Sequence, residues 1–205
     1  YKRVSDTCIE GYVQAKNVCG HGRYKLYFSL NTDQPFQLEE QKETTACLTF
    51  GKKVRAVEVR IGLSALSSEL ASWECARWEK MDFAELKSQT GNQWEKQLSA
   101  IDVKGGKKDD KVIFYTSLYR AYLSPADVSS PDGAYLGTDG KVYISEDFRY
   151  YSNWSLWDTF RTKFPLLVLT EPARMRDMAT SLIHLYATGK KDWSTGFEST
   201  PTVRT

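Results

Sequence analysis

The sequence predicts an α+β chain of more than one domain, strands first and helices after. Three observations carry this. Apolar residues alternate at period two in the first third, a 3.6-residue period takes over from Phe83, and a polar, Gly-rich break at 104–110 interrupts the helical part.

The strands come first. Arg23 to Leu30 puts Tyr24, Leu26, Phe28 and Leu30 on one face, and Val57, Val59, Ile61 and Leu63 alternate with Glu58, Arg60 and Gly62. Thr44 to Phe50 is a third strand, and Gly51-Lys52-Lys53 is its turn. Such alternation indicates antiparallel strands with one solvated face. Three strands are too few to close a sandwich, so sheet partners are expected outside this chain.

The helices follow. Phe83, Leu86, Trp94 and Leu98 share a stripe that Asp82 can cap, although Gly91 weakens its middle. After the break, Val112, Thr116, Tyr119 and Leu123 share a face of a second helix, which Ser124-Pro125 stops. Residues 124–152 read as a long loop with a small hairpin at Tyr135 and Val142-Tyr143-Ile144, and loops of that length are usually functional. Another helix starts near Ser155 and runs through Trp157 and Phe160, with Pro165 bending or ending it. The clearest helix is Glu171 to Ala187: Pro172 opens it, Met175, Met178, Leu182 and Leu185 line one face, and Gly189 follows it.

Composition removes several function classes. With 28 Lys+Arg against 26 Asp+Glu and no basic block, there is no electrostatic case for nucleic acid. No apolar run approaches the roughly 20 residues of a membrane span; the longest, Phe164 to Leu169, contains Pro165. The chain begins Tyr1-Lys2-Arg3 without an initiator Met or an apolar leader segment, so it is expected to be processed or part of a longer protein. Cys8, Cys19, Cys47 and Cys75 form no CxxC pair, which argues against structural zinc. They allow three disulfide pairings or buried free thiols. His21 and His184 read as structural, and no Ser/His/Asp or Cys/His arrangement is arguable.

Three ordered stretches carry a resemblance. The first is Phe114-Tyr115-Thr116-Ser117-Leu118-Tyr119-Arg120. The second runs from Asp132-Gly133 through Tyr135 and Gly137 to Asp139-Gly140. The third is Ser155-Leu156-Trp157-Asp158-Thr159-Phe160-Arg161, followed by Pro165-Leu166-Leu167. Together they resemble the family 92 glycoside hydrolases, calcium-dependent exo-α-mannosidases. Looser similarity extends upstream through Tyr24 to Phe28, Pro35-Phe36 and Val57 to Ser64. The resemblance implies the C-terminal part of an antiparallel β-sandwich at residues 1–65, a helical linker at 66–108, and the first helices of an incomplete (α/α)6 catalytic barrel at 109–205.

It also implies chemistry. Family members remove terminal α-linked mannose with inversion, which uses a general acid and a general base about 6.5–9.5 Å apart, and calcium holds sugar hydroxyls. The base and most calcium ligands are expected in later segments, outside this chain. The acid lies in a Glu-Thr-Asn motif; here Gly196-Phe197-Glu198-Ser199-Thr200 falls in that place, so Glu198 is the candidate acid. Glu-Ser-Thr departs from the pattern, which implies an altered substrate or reliance on a good leaving group, and an exposed loop carboxylate is the alternative. By the match, Asp158 binds mannose hydroxyls through charge-assisted hydrogen bonds; the alternative is a carboxylate at a helix N-terminus. Trp157 stacks on a sugar or fills a core. Arg161 binds sugar or buttresses Asp158, or makes a surface ion pair.

Asp132 and Asp139 favour turn chemistry over substrate contact, and Asn153-Trp154-Ser155 is read as a chance glycosylation pattern. The implied partners are a mannose-containing glycan and the remaining segments of the same hydrolase, and the implied setting is secreted, periplasmic or extracellular. A non-catalytic carbohydrate-binding or structural protein on the same fold is the competing reading. Without the missing segments, Leu166 to Leu169 and the Met175/Met178/Leu182 stripe are expected to be exposed and the isolated chain to be unstable or to aggregate.

Overall fold

The computed structural model describes residues 1–16, 23–42, 45–152, 154–189 and 203–204. It divides into two compact units, Tyr1–Ala15 with Lys25–Glu85, and Lys16–Tyr24 with Leu86–Thr205.

The first unit is mostly β. Strands β1 (Lys2–Arg3), β2 (Cys8–Lys16) and β3 (Arg23–Thr32) form a sheet, and β4 (Phe36–Lys42) with β5 (Thr45–Phe50) form a separate antiparallel hairpin. Strand β6 (Val59–Ser64) completes the sheet in the order β1-β2-β3-β6. Strands β2 and β4 go beyond the three expected. In β2 the apolar positions Ile9, Val13 and Ala15 are interrupted by Gly11, in β4 Glu40 follows Phe36 and Leu38 on the apolar face, and cross-strand pairing supplies what local pattern lacks. The turn after β5 closes through Val54 N–H donating to the Gly51 carbonyl at 2.8 Å.

Helix α1 (Ser68–Ala76) covers this sheet. Ser67 caps it, its hydroxyl accepting from Leu70 N–H at 3.2 Å. The covered face is the one carrying Ser29, Gly62 and Ser64 rather than the alternating apolar one. Gly62 is required there, because a Cβ would collide with the Ala71 carbonyl and the Cys75 backbone nitrogen. The expected inward face is open: Val59, Ile61 and Leu63 are 48%, 57% and 54% exposed. Their cross-strand partners are Thr32, Leu30 and Phe28. Helix α1 takes the small-residue face because its backbone can approach closely only where side chains are short.

Three of the four cysteines are described. Cys8, Cys47 and Cys75 are free thiols. Burial pushes the Cys8 thiol up in pKa against a weaker opposing contact with Ser29, and the Cys75 sulfur accepts from Asn31 Nδ2 at 3.0 Å.

Helix α2 (Phe83–Leu98), all but its first three residues in the second unit, is followed by α3 (Lys108–Tyr122). Asp82 caps α2 as expected, accepting from Glu85 N–H at 2.7 Å. Helix α3 packs inward on a face other than the one that Val112, Thr116, Tyr119 and Leu123 share. Val112, Thr116, Tyr119 and Leu123 are exposed, whereas Leu118 and Tyr122 are buried with Phe114 and Tyr115 beside them. Apolar residues crowd both sides of this helix, so periodicity alone supports two stripes and tertiary packing selects one. A segment of short pairings follows: β7 (Ala126–Asp127), β8 (Ala134–Leu136), β9 (Val142–Ile144), β10 (Tyr151–Ser152) and β11 (Trp154–Ser155). The hairpin β8–β9 pairs Tyr135 with Tyr143, as the turn residues predicted.

Helix α4 (Leu156–Thr159) is a single turn, and a separate α5 (Lys163–Thr170) begins two residues before Pro165. Pro165 therefore opens a helix instead of ending one. In the first turn its missing N–H has no intrahelical acceptor to lose. Helix α6 (Pro172–Thr188) matches its prediction closely, and β12 (Val203–Arg204) pairs in parallel with β11. Leu118, Tyr122, Tyr151, Trp154, Leu167, Met178 and Leu185 form the core of this unit, with Met175 and Leu182 packed against it. Leu167 and Met178 are thus buried within the chain itself, while Val168 and Leu169 are exposed. Among the described residues no helix is long and apolar enough to cross a membrane.

Candidate functional site

The site is built on the segment that enters α4. Trp157 and Asp158 both lie in that one-turn helix, and their side chains lie outside the described structure. Arg161 is exposed just beyond it, its guanidinium 5.2 Å from the centroid of the Phe160 ring. Glu198, Asn153, His21 and Cys19 lie outside the described residues.

Upstream of α4 the chain is tied on two sides. Strand β10 pairs with β7 through Tyr151↔Asp127 and Ser152↔Ala126. Arg149 holds the same turn from its side chain: Nε donates to Asp127 Oδ2 at 2.8 Å, Nη1 to the Ser130 carbonyl at 2.9 Å and Nη2 to the Ser129 carbonyl at 2.9 Å. Each is charge-assisted, and together they fix a planar group in one orientation. Trp154 is fully buried, in edge contact with Phe164 at 6.2 Å between centroids.

The loop of residues 127–148 owes its shape to turn chemistry. Asp132 Oδ1 accepts from Ala134 N–H at 3.1 Å, and Gly133, at φ +83°, leaves no room for a Cβ against the Ser145 carbonyl. Asp139 Oδ1 accepts from Lys141 N–H at 3.1 Å and Oδ2 from the Tyr143 hydroxyl at 2.9 Å. The Lys141 backbone bond chiefly holds the Asp139 carboxyl below its usual pKa, and the bond to Asp139 raises that of Tyr143.

A polar stripe along α6 receives this loop. Asp177, Ser181, His184 and Thr188 recur at intervals of four, three and four residues, beside the apolar stripe. Asp177 Oδ2 accepts from Arg149 N–H at 3.3 Å, and Ser181 Oγ accepts from Tyr151 N–H at 2.9 Å. His184 Nδ1 is 2.9 Å from the Tyr135 hydroxyl, and Thr188 Oγ1 is 2.9 Å from Thr138 Oγ1. Tyr135 also stacks on Tyr150 at 4.1 Å. Burial pushes the Tyr150 phenol up to about 12. The signal for this docking was present in the sequence as a second period-3.6 stripe, polar and easily passed over beside the apolar one. His184 is structural as expected, with a specific partner.

Two features flank the segment. Lys163 Nζ donates to Ser124 Oγ at 3.0 Å, and burial first, then the neighbouring Arg174, lowers its pKa. Among the described residues no group of three or more His, Cys, Asp or Glu side chains gathers to hold a metal.

The family model described as "Glycosyl hydrolase family 92 catalytic domain" matches residues 70–203. The fold superposes on the GH92 family glycosyl hydrolase CcMan5 with a TM-score of 0.77 at 28% identity, over 90% of this chain and 27% of that one. A family GH92 α-mannosidase from Bacteroides thetaiotaomicron matches with a TM-score of 0.80 at 26% identity, over 94% of this chain and 28% of that one. The same protein in complex with mannoimidazole gives 0.81 at 25% identity, over 96% of this chain and 29% of that one. The chain therefore spans less than a third of the length of these solved structures. No curated protein matches it.

Proposed function

The chain belongs to glycosyl hydrolase family 92, and from that premise we propose that it forms part of an enzyme releasing terminal α-linked mannose from glycans. The observation that carries the reading is the family match over residues 70–203, which includes the loop, the Trp157-Asp158 turn and its α6 support. The α-mannosidase likeness of the superposed fold supports it.

In this reading residues 1–65 are the end of a β-sandwich, residues 66–108 are a linker, and residues 109–205 begin an (α/α)6 barrel that other segments complete. The exposed apolar face of β6 agrees with a sandwich whose second sheet comes from those segments. Asp158 accepts hydrogen bonds from sugar hydroxyls, Trp157 faces the ring and Arg161 supports them. Glu198 protonates the leaving oxygen, and a base from another segment activates water on the opposite face, giving inversion. Calcium would supply polarisation and orientation of sugar hydroxyls. Among the described residues no three His, Cys, Asp or Glu side chains gather to hold a metal; in this reading its ligands come mainly from other segments, and no step here runs through it. A secreted, periplasmic or extracellular setting suits such a hydrolase.

The test is hydrolysis of an aryl α-mannoside by the assembled enzyme. Asp158→Asn is expected to reduce kcat/KM by about 100-fold or more, the scale of losing a charge-assisted contact made to the reacting sugar. Loss of mannoside hydrolysis by the unmutated enzyme, with mannose binding retained, would favour the carbohydrate-binding alternative.

A further inference from the structure

We propose that Ser181 is a positioning residue for the Trp157-Asp158 turn, acting through the register of β10. The inference rests on the function proposed above.

Strand β10 is two residues long and shares only two pairings with β7. So short a ladder specifies register weakly, and a slip of one residue reverses the facing of every side chain that follows. The opposite edge of β10 has no strand beside it in its sheet. What lies there is the hydroxyl of Ser181, which is fully buried. Its oxygen accepts from Tyr151 N–H at 2.9 Å. Its single proton is shared between the Asp177 carbonyl of its own helix at 2.7 Å and the Arg149 carbonyl at 3.2 Å. Ser181 thus takes the donor of residue 151 and reaches the acceptor of residue 149, the alternate groups that a neighbouring strand would pair.

A stability argument alone does not account for this residue. Serine is a poorer helix former than alanine, and burying a hydroxyl is unfavourable unless it is hydrogen-bonded. At position 181 the hydroxyl is satisfied by the strand edge, and the chain runs from Tyr151 through buried Trp154 into α4. Asp158 follows Tyr151 by seven residues, so the helix–strand register sets where the turn that carries it begins.

The experiment compares Ser181→Ala with Thr180→Ala in the assembled enzyme. Thr180 is the neighbouring hydroxyl, bonded to the Arg176 carbonyl of its own helix at 3.0 Å. Three quantities are read: amide exchange at Tyr151, affinity for mannoimidazole, and the kinetic constants on an aryl α-mannoside. Ser181→Ala is expected to speed Tyr151 exchange about tenfold, weaken mannoimidazole about tenfold and raise KM by a similar factor with kcat nearly unchanged, because a hydroxyl-binding group acts in ground and transition states alike. Thr180→Ala leaves all three unchanged. If Ser181→Ala does not fold, Ser181→Cys, close in size and a weak hydrogen bonder, is read in the same way. Faster exchange with unchanged affinity and KM overturns the positioning role, and unchanged exchange overturns the bond itself. An unmutated enzyme that neither binds mannoimidazole nor cleaves the mannoside overturns the proposed function first, and this inference with it.

Discussion

The sheet of the first unit and helix α6 of the second treat equally clear apolar patterns in opposite ways. In α6, Met178 and Leu185 are fully buried and Met175 and Leu182 pack beside them, as the 3.6-residue period predicts. In β6, the alternating Val59, Ile61 and Leu63 lie open, and the face of Gly62 and Ser64 is covered by α1. A pattern therefore identifies an element and divides its faces, but which face is covered depends on the chain available to cover it. Helix α6 finds α3, α5 and Trp154 within the same chain, whereas nothing described in this chain covers Val59, Ile61 and Leu63 of β6.

That contrast is sharpest at two adjacent residues. In the assembled enzyme, Ile61→Ala is expected to cost about 2–5 kcal/mol, as for a buried aliphatic side chain, despite its exposure here. Gly62→Ala is expected to cost about 3 kcal/mol, since the new methyl meets helix backbone that cannot yield. Urea unfolding measures both. A cost below about 0.5 kcal/mol for Ile61→Ala would mean that this face remains in water and would break the comparison.

The elements were largely legible in the sequence. The strand at Arg23 to Leu30, the hairpin at Tyr135 and Tyr143, the Asp82 cap and α6 all stand where local pattern put them. What was not legible depends on distant partners. The apolar series of β2 is broken by Gly11, and that of β4 ends at Glu40 after only two residues. The inward face of α3 is chosen by the core, and Pro165 needed the break between α4 and α5 to become a helix opener. For the site, the Trp157-Asp158 turn came from ordered motifs, whereas the α6 polar stripe had to be seen holding its loop before it meant anything.

That stripe sets the next effect. Tyr150 stacks on Tyr135 and is buried, and burial first, then the Tyr135 hydroxyl, raises its pKa from 10.0 to about 12. A raised pKa means that the folded state holds the proton more tightly than the unfolded chain. The stabilisation is complete below pH 10 and is lost as the pH climbs through about 12. A gap of that size corresponds to about 2–3 kcal/mol. The urea midpoint of the assembled enzyme is expected to fall more steeply across this interval than that of Tyr150→Phe, which has no proton to lose. Parallel curves would place Tyr150 in water and weaken the claim that the second unit closes its own core around the loop.

The smallest effect concerns α2, which resembles neither extreme. No residue of α2 is fully buried. Trp94 and Leu98 lie against the core of the second unit, Trp94 in edge contact with Tyr119 at 4.5 Å. A helix with so little burial depends more on its own ends. Asp82 satisfies the Glu85 N–H at 2.7 Å, with Glu85 itself in the first turn, where negative charge is favourable. Asp82→Ala is expected to cost about 1 kcal/mol, and Asp82→Asn only a few tenths, since the amide oxygen still accepts. Unfolding of the two variants separates the cap from its charge. A loss equal in both would put the charge–dipole contribution first, and no loss in either would mean that Trp94 and Leu98 hold α2 without help from its terminus.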